Sequence, residues 1–196
     1  MGHFHSLLTD PHPSRHIVYP YNDEDKAIYA VALFASSGLS KGESVVLIMA
    51  DTRCKPILEG LTKSGFDVVA LQASGQLECV SAEEMLRGFT REGTLDEELA
   101  SATIAGIIRR ARKNSAAGKV RVFGEMVSFL LAQSKVEVAE RLEEVWNQLI
   151  VAESISLLCT YTLIDSGCKI LPECLAKLHS HNLTFEGAMR ATALTE

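Results

Sequence analysis

Apolar positions along this chain switch repeatedly between a period of two or less and a period near 3.6, and the switches predict strands alternating with helices. Ile17-Val18-Tyr19 is a short β-branched run, and Asn22-Asp23 behind it can cap a helix. Ile28, Val31, Ala32 and Ala35 recur at i, i+3, i+4 and i+7, a helical stripe that Gly38 can end. Residues 44–50 are apolar on both faces, as a central parallel strand covered by helices must be. Pro56 suits the first turn of the next helix, Ile57, Leu58 and Leu61 its buried face, and Gly65 its stop. Residues 66–71 predict another strand.

The middle is less regular. Residues 77–80 predict a short strand after the turn Ser74-Gly75-Gln76. Ser81-Ala82-Glu83-Glu84 reads as a capping box, and Thr94 with Glu97 as a second. Ile104, Ile107, Ile108 and Ala111 give a long helix its buried face, and Arg109, Arg110, Arg112 and Lys113 near its end complement the helix dipole. Residues 120–123 predict a strand that runs into Gly124-Glu125-Met126. Val138, Leu142, Val145 and Leu149 stripe a later helix, whose glutamates Glu137, Glu140, Glu143 and Glu144 read as a solvated face. Residues 155–163 predict the last strong strand, and 171–178, with Pro172 near the start, a closing helix. The whole is an α/β fold with a mostly parallel central sheet flanked by helices.

Composition narrows the function classes. Of the 196 residues 47% are hydrophobic and 22% charged, the profile of a folded globule. A net charge of −6 without a long basic run argues against nonspecific nucleic-acid binding. The longest apolar run, residues 27–35, is far short of the about 20 that span a bilayer, so no membrane segment is expected. The start shows no basic region followed by an apolar core, so a cytoplasmic chain with reduced cysteines is expected. Residues 1–15, with Pro11 and Pro13, read as a flexible N-terminal arm. Its His3, His5 and His12, taken with His16, fit no metal-ligand spacing, and no metal site is expected.

In an open parallel sheet, ligands gather beyond the carboxyl ends of the strands. That rule shortlists Tyr19 and Tyr21, then Asp51, Thr52 and Arg53, Gln72, Glu125, and Tyr161 with Asp165. Glu125 reads equally as a carboxylate reaching into a crevice or as the N-cap or a first-turn acid of the following helix. Gln76 can be presented by its glycine turn. Arg121, inside an apolar strand, implies either an edge strand or a buried carboxylate partner. His16 opens its strand at the end away from the crevice, where a structural histidine is expected. Cys159 reads as a small buried hydrophobe, and nothing in the sequence nominates a histidine to activate it. The phosphate-cradle, dinucleotide, nucleophile-elbow and zinc-protease motifs are all absent.

Taken together, His16-Ile17-Val18-Tyr19, Gly38-Leu39-x-x-Gly42-Glu43, Gly75-Gln76-Leu77, Arg121-Val122-x-Gly124-Glu125-Met126, Trp146-Asn147-x-Leu149 and Leu158-Cys159-x-Tyr161 resemble, in order and spacing, the MEDS domain, the sensory domain of DcmR-type regulators that also accompanies histidine kinases. The resemblance runs from His16 to the His179-Ser180-His181 region, giving a sensory domain over 16–183 and a tail over 184–196. The chain departs from the family's pattern at Ser128-Phe129, where a tryptophan is frequent after G-E-M, and at Thr160, where glutamine or alanine is frequent. The family resembles RecA/KaiC-type ATPases, which implies a three-layer sandwich. Here Asp51-Thr52-Arg53-Cys54-Lys55-Pro56 stands where the glycine loop and its lysine belong, with no glycine between Gly42 and Gly60. Too few backbone amides can converge on a phosphate.

The resemblance implies a non-catalytic sensory module without a cofactor. It would bind a small molecule or a regulatory partner at Asp51, Arg53, Gln76, Glu125 and Tyr161, with Arg121 and His16 supporting them. Its signal would pass to a separate histidine kinase or transcription regulator, because the resemblance uses up the chain. Homo-oligomerisation is left open. The alternative is a divergent nucleotide-binding hydrolase or transferase in which Glu125 activates water.

Overall fold

A computed structural model describes residues 2–162, with side chains from residue 5 onward. In chain order the elements are α1 (Gly2–Thr9), β1 (Arg15–Tyr21), α2 (Glu24–Ser40), β2 (Ser44–Met49), α3 (Asp51–Lys63), α4 (Val68–Ala73), β3 (Leu77–Ser81) and α5 (Ala82–Phe89). A hairpin of β4 (Thr90–Arg91) and β5 (Thr94–Leu95) leads to α6 (Glu97–Lys113), β6 (Val120–Gly124), α7 (Met126–Ala132), α8 (Val136–Ala152) and β7 (Ser156–Thr162). The expected strands at 17–19, 44–50, 77–80, 120–123 and 155–163 all pair, in parallel, in the order β1-β7-β6-β2-β3.

Alternation along the strands builds two cores, one on each face. Val45, Leu47 and Met49 of β2 meet Phe123, Leu158 and Ile17 under α1, α2 and α3. Val46 and Ile48 meet Val122, Leu157 and Val18 under α5, α6, α7 and α8. The result is the expected three-layer α/β sandwich. None of the helices among the described residues is long and apolar enough to cross a membrane.

Several local expectations need correction. Residues 66–71 form no strand. Gly65 turns the chain at φ +90°, Asp67 accepts the Ala70 N–H at 3.0 Å as an N-cap, and α4 follows. Phe66, Val68 and Leu71 pack on the core while Val69 faces water, a one-sided burial that a single helical turn satisfies. Thr94 lies in β5, so the cap of α6 is Asp96, which accepts from Leu99 N. Pro56 is the sixth residue of α3, in its interior. Residues 2–9, expected to lack regular structure, form α1, and its Leu8 is buried in the first core. Glu143 is buried on α8 instead of solvated. The expected helix at 171–178 lies outside the described residues.

Arg121 explains how α1 is held. β6 is an interior strand, so of its two expected settings the buried carboxylate partner is the one realised: the guanidinium pairs with Glu43. Nη1 also donates to the carbonyls of Leu8 (2.8 Å) and Phe34 (3.0 Å), and Nη2 to that of Thr9 (3.2 Å). Gly38 does not end α2. It lies inside that helix, where a Cβ would stand 2.7 Å from the Arg121 side chain, so the close approach calls for glycine.

Candidate functional site

Strands β2 and β6 are neighbours, yet α3 leaves β2 into one helical layer and α7 leaves β6 into the other. The diverging connections open a crevice between their carboxyl ends, the position where open α/β sheets take ligands. Glu125 stands there. Its backbone occupies the N-cap position of α7, but its side chain makes no cap bond. Instead Oε2 accepts the Ala50 N–H at 2.8 Å, and Oε1 meets Arg53 Nη1 at 2.5 Å. The Glu125 backbone thus serves the helix while its carboxylate turns to the ends of β2 and α3.

Arg53, in the first turn of α3, spans the crevice. Beyond Glu125, Nη1 donates to Thr160 Oγ1 at 3.3 Å, and Nη2 to the Tyr21 hydroxyl and to Glu24 Oε2 at 2.6 Å. Its Cζ also lies 5.0 Å from the centre of the Tyr21 ring. The electrostatics are unequal on the two sides of the cation. The Arg53 and Glu125 side chains are 10% and 7% exposed, whereas that of Glu24 is 51% exposed. Burial pushes the Glu125 carboxyl above its ordinary pKa, outweighing the Arg53 charge and the Ala50 N–H that pull it down. Burial opposes the charge on Arg53, but Glu125 and Glu24 overcome it and raise its pKa. Burial also raises that of Tyr21.

Of the residues singled out from sequence, the structure brings Arg53 and Glu125 together. Asp51 opens α3 beside them but points to solvent. Gln76 does not join them. It precedes β3, at the amino end of the sheet, where it donates to the Glu43 carbonyl. Tyr161 does not join them either, because the strand pleat turns it to the opposite face from Thr160, where its hydroxyl donates to Glu143 Oε1 at 2.5 Å. Arg121 sits near the start of β6 with Glu43 and does not support Glu125. His16 lies on the Tyr161 side, 3.3 Å from Cys159 Sγ, so a histidine does meet the buried thiol. Sequence reasoning did not single out Glu24, which follows the capping pair Asn22-Asp23, and met Thr160 only as a departure from a family pattern.

A cleft of about 420 Å³ lies between α5 and α7, lined by Glu83, Leu86, Arg87, Phe129, Leu130 and Lys135 among others. Both helices begin at carboxyl ends of strands, and the charge of Glu83 acts on Glu125.

The sequence matches, over residues 15–179, the family described as MEDS: MEthanogen/methylotroph, DcmR Sensory domain. The chain belongs to the MEDS family. A sensory role accompanies that membership. Among solved structures, this MEDS domain is similar to the KaiC-like protein PH0186 from Pyrococcus horikoshii OT3, at 13% identity and a TM-score of 0.53, over 80% of this chain and 67% of that one. At that identity the likeness is one of fold, and the MEDS sandwich is RecA/KaiC-like. Among curated proteins, none matches the sequence.

Proposed function

We propose that this domain is a non-catalytic sensor. Its carboxyl-end crevice binds a small molecule bearing an anionic group, and the change is passed to a histidine kinase or transcription regulator. One observation carries the reading: Arg53 is held by a buried carboxylate on one side and a half-exposed one on the other. A ligand carboxylate or phosphate can exchange with Glu24 and take up the Nη2 N–H that Glu24 now accepts. Glu24 opens α2, so exchange removes the ion pair between the start of α2 and α3 and gives two states with different ligand affinity. The neighbouring cleft, with Leu86, Phe129 and Leu130, offers room for an apolar body.

The nucleotide-hydrolase alternative has less support. The Glu125 carboxylate already caps the amide at the start of α3, where a bound phosphate would need free donors. Engaged with Arg53 and Ala50, Glu125 is also poorly placed to activate water. Small carboxylates and inorganic phosphate, screened by calorimetric unfolding, should include at least one that stabilises the protein. At a hundredfold excess over Kd the gain is about 2.7 kcal/mol. Arg53→Gln should abolish the response. A panel without any response would count against an exchangeable guanidinium.

A further inference from the structure

On the face of the sheet opposite Arg53, donors of three chemistries converge from β1, α8 and β7. His16, Glu143 and Cys159 are 3%, 1% and 1% exposed, and one donor atom from each lies within 4.8 Å of the others. His16 Nε2 faces Cys159 Sγ at 3.3 Å. Its Nδ1 is 3.4 Å from Asn147 Oδ1 and 3.9 Å from Glu143 Oε2. The imidazole is thus ringed by sulfur and oxygen atoms: the N···S separation is that of a hydrogen bond to sulfur, and the two N···O separations are at the long end for a hydrogen bond and for an ion pair. Around this cluster the core is apolar, with Leu142, Trp146 and Leu157 fully buried.

We propose that His16, Glu143 and Cys159 bind one divalent transition-metal ion of the zinc class. A nitrogen, a carboxylate oxygen and a sulfur form a borderline-soft donor set that suits such an ion. Metal–ligand bonds of about 2.0–2.3 Å place tetrahedral donors roughly 3.3–3.8 Å apart, so the observed spread closes with small side-chain adjustments. Charge balances as well: a dication neutralises one carboxylate and one thiolate beside a neutral imidazole, which offsets the cost of burying the Glu143 charge. Binding forms the metal–sulfur bond and releases the Cys159 thiol proton to solvent. With Nε2 on the metal, the Nδ1–H faces Asn147 Oδ1, and Glu143 Oε2, 3.9 Å from Nδ1, turns towards the ion. The Tyr161 hydroxyl holds Glu143 through its other oxygen.

A cysteine–histidine pair also suggests a nucleophile and its base, but this thiol is sealed, and burial together with the Glu143 charge pushes its pKa well above the ordinary value. A metal ion reverses that effect, because it stabilises the thiolate directly. The three ligands come from segments far apart in sequence, which is why no ligand spacing is visible there. The inference does not depend on the Arg53 reading, and either can fail alone.

Sealed ligands load as the chain folds, so the test uses untagged protein expressed in cobalt-supplemented medium. The expected result is one cobalt per chain, thiolate-to-cobalt charge-transfer absorption, and quenched emission from Trp146, the single tryptophan, one turn from Glu143. Cys159→Ser should remove the charge-transfer absorption, and Glu143→Gln should lower retained cobalt about tenfold or more. Joint replacement of His3, His5 and His12 by Gln should change neither. Protein that folds without metal, or cobalt bound with no thiolate absorption, would overturn the proposal on the unsubstituted chain alone. So would absorption that survives Cys159→Ser.

Discussion

Arg121→Ala is expected to destabilise the protein by about 3–5 kcal/mol, measured by urea unfolding, and to release α1 from the body of the domain. The magnitude follows from what the substitution leaves behind. Arg121 is 1% exposed and its partner Glu43 is 7% exposed, so the truncated site holds a buried carboxylate with no cation. The carbonyls of Leu8, Thr9 and Phe34 lose their donor in the same step. Adding Glu43→Gln should recover part of the loss by removing the stranded charge. Arg121→Lys should recover little, because one ammonium cannot reach a carboxylate and three carbonyls in the directions that the guanidinium fork covers. Amide exchange in residues 2–9 should accelerate in Arg121→Ala far more than elsewhere.

Arg53→Ala is expected to cost about 3 kcal/mol at neutral pH, and the cost should depend on pH in a defined direction. Burial already holds the Glu125 carboxyl above its ordinary value, and the Arg53 charge is the largest influence pulling it down. Without Arg53 it rises further. A carboxyl whose folded pKa exceeds its unfolded one binds protons preferentially in the folded state between the two values. Stability therefore falls as pH rises through that window and is regained on acidification. The variant should come closest to the parent at the acid end and fall furthest behind at the alkaline end, a divergence followed by urea unfolding as a function of pH. A difference independent of pH would mean that Glu125 does not carry its charge in the folded protein.

The layers of this fold were legible because each strand carries its own signal. Residues 44–50 are apolar on both faces, and β2 is indeed covered on both. Local chemistry that competes with propensity was harder to read. Val68-Val69 looks like a strand, yet Asp67 caps a helix there and Val69 has nothing to pack against. The hairpin at Glu92-Gly93 needs positive φ at both residues, 50° and 80°, which only Gly93 advertises. Strand ends identified Arg53 and Glu125 because a parallel sheet fixes which end faces the crevice. They could not say which face of β7 turns towards it. A one-residue step separates Thr160, bonded to Arg53, from Tyr161, bonded to Glu143 across the sheet. Glu143 itself reads as one more glutamate on a charged helix, and only the packing of α8 against β7 shows it facing inward.

Isothermal titration of MgATP into the protein, carried to millimolar nucleotide, tests the central claim most directly. If the Glu125 carboxylate fills the start of α3 and only the Glu24 side of Arg53 can be exchanged, any saturable heat should vanish in Arg53→Gln and be independent of Mg²⁺, and no phosphate should be released. Saturable binding that persists in Arg53→Gln, or steady phosphate release lost in Glu125→Gln, would contradict it.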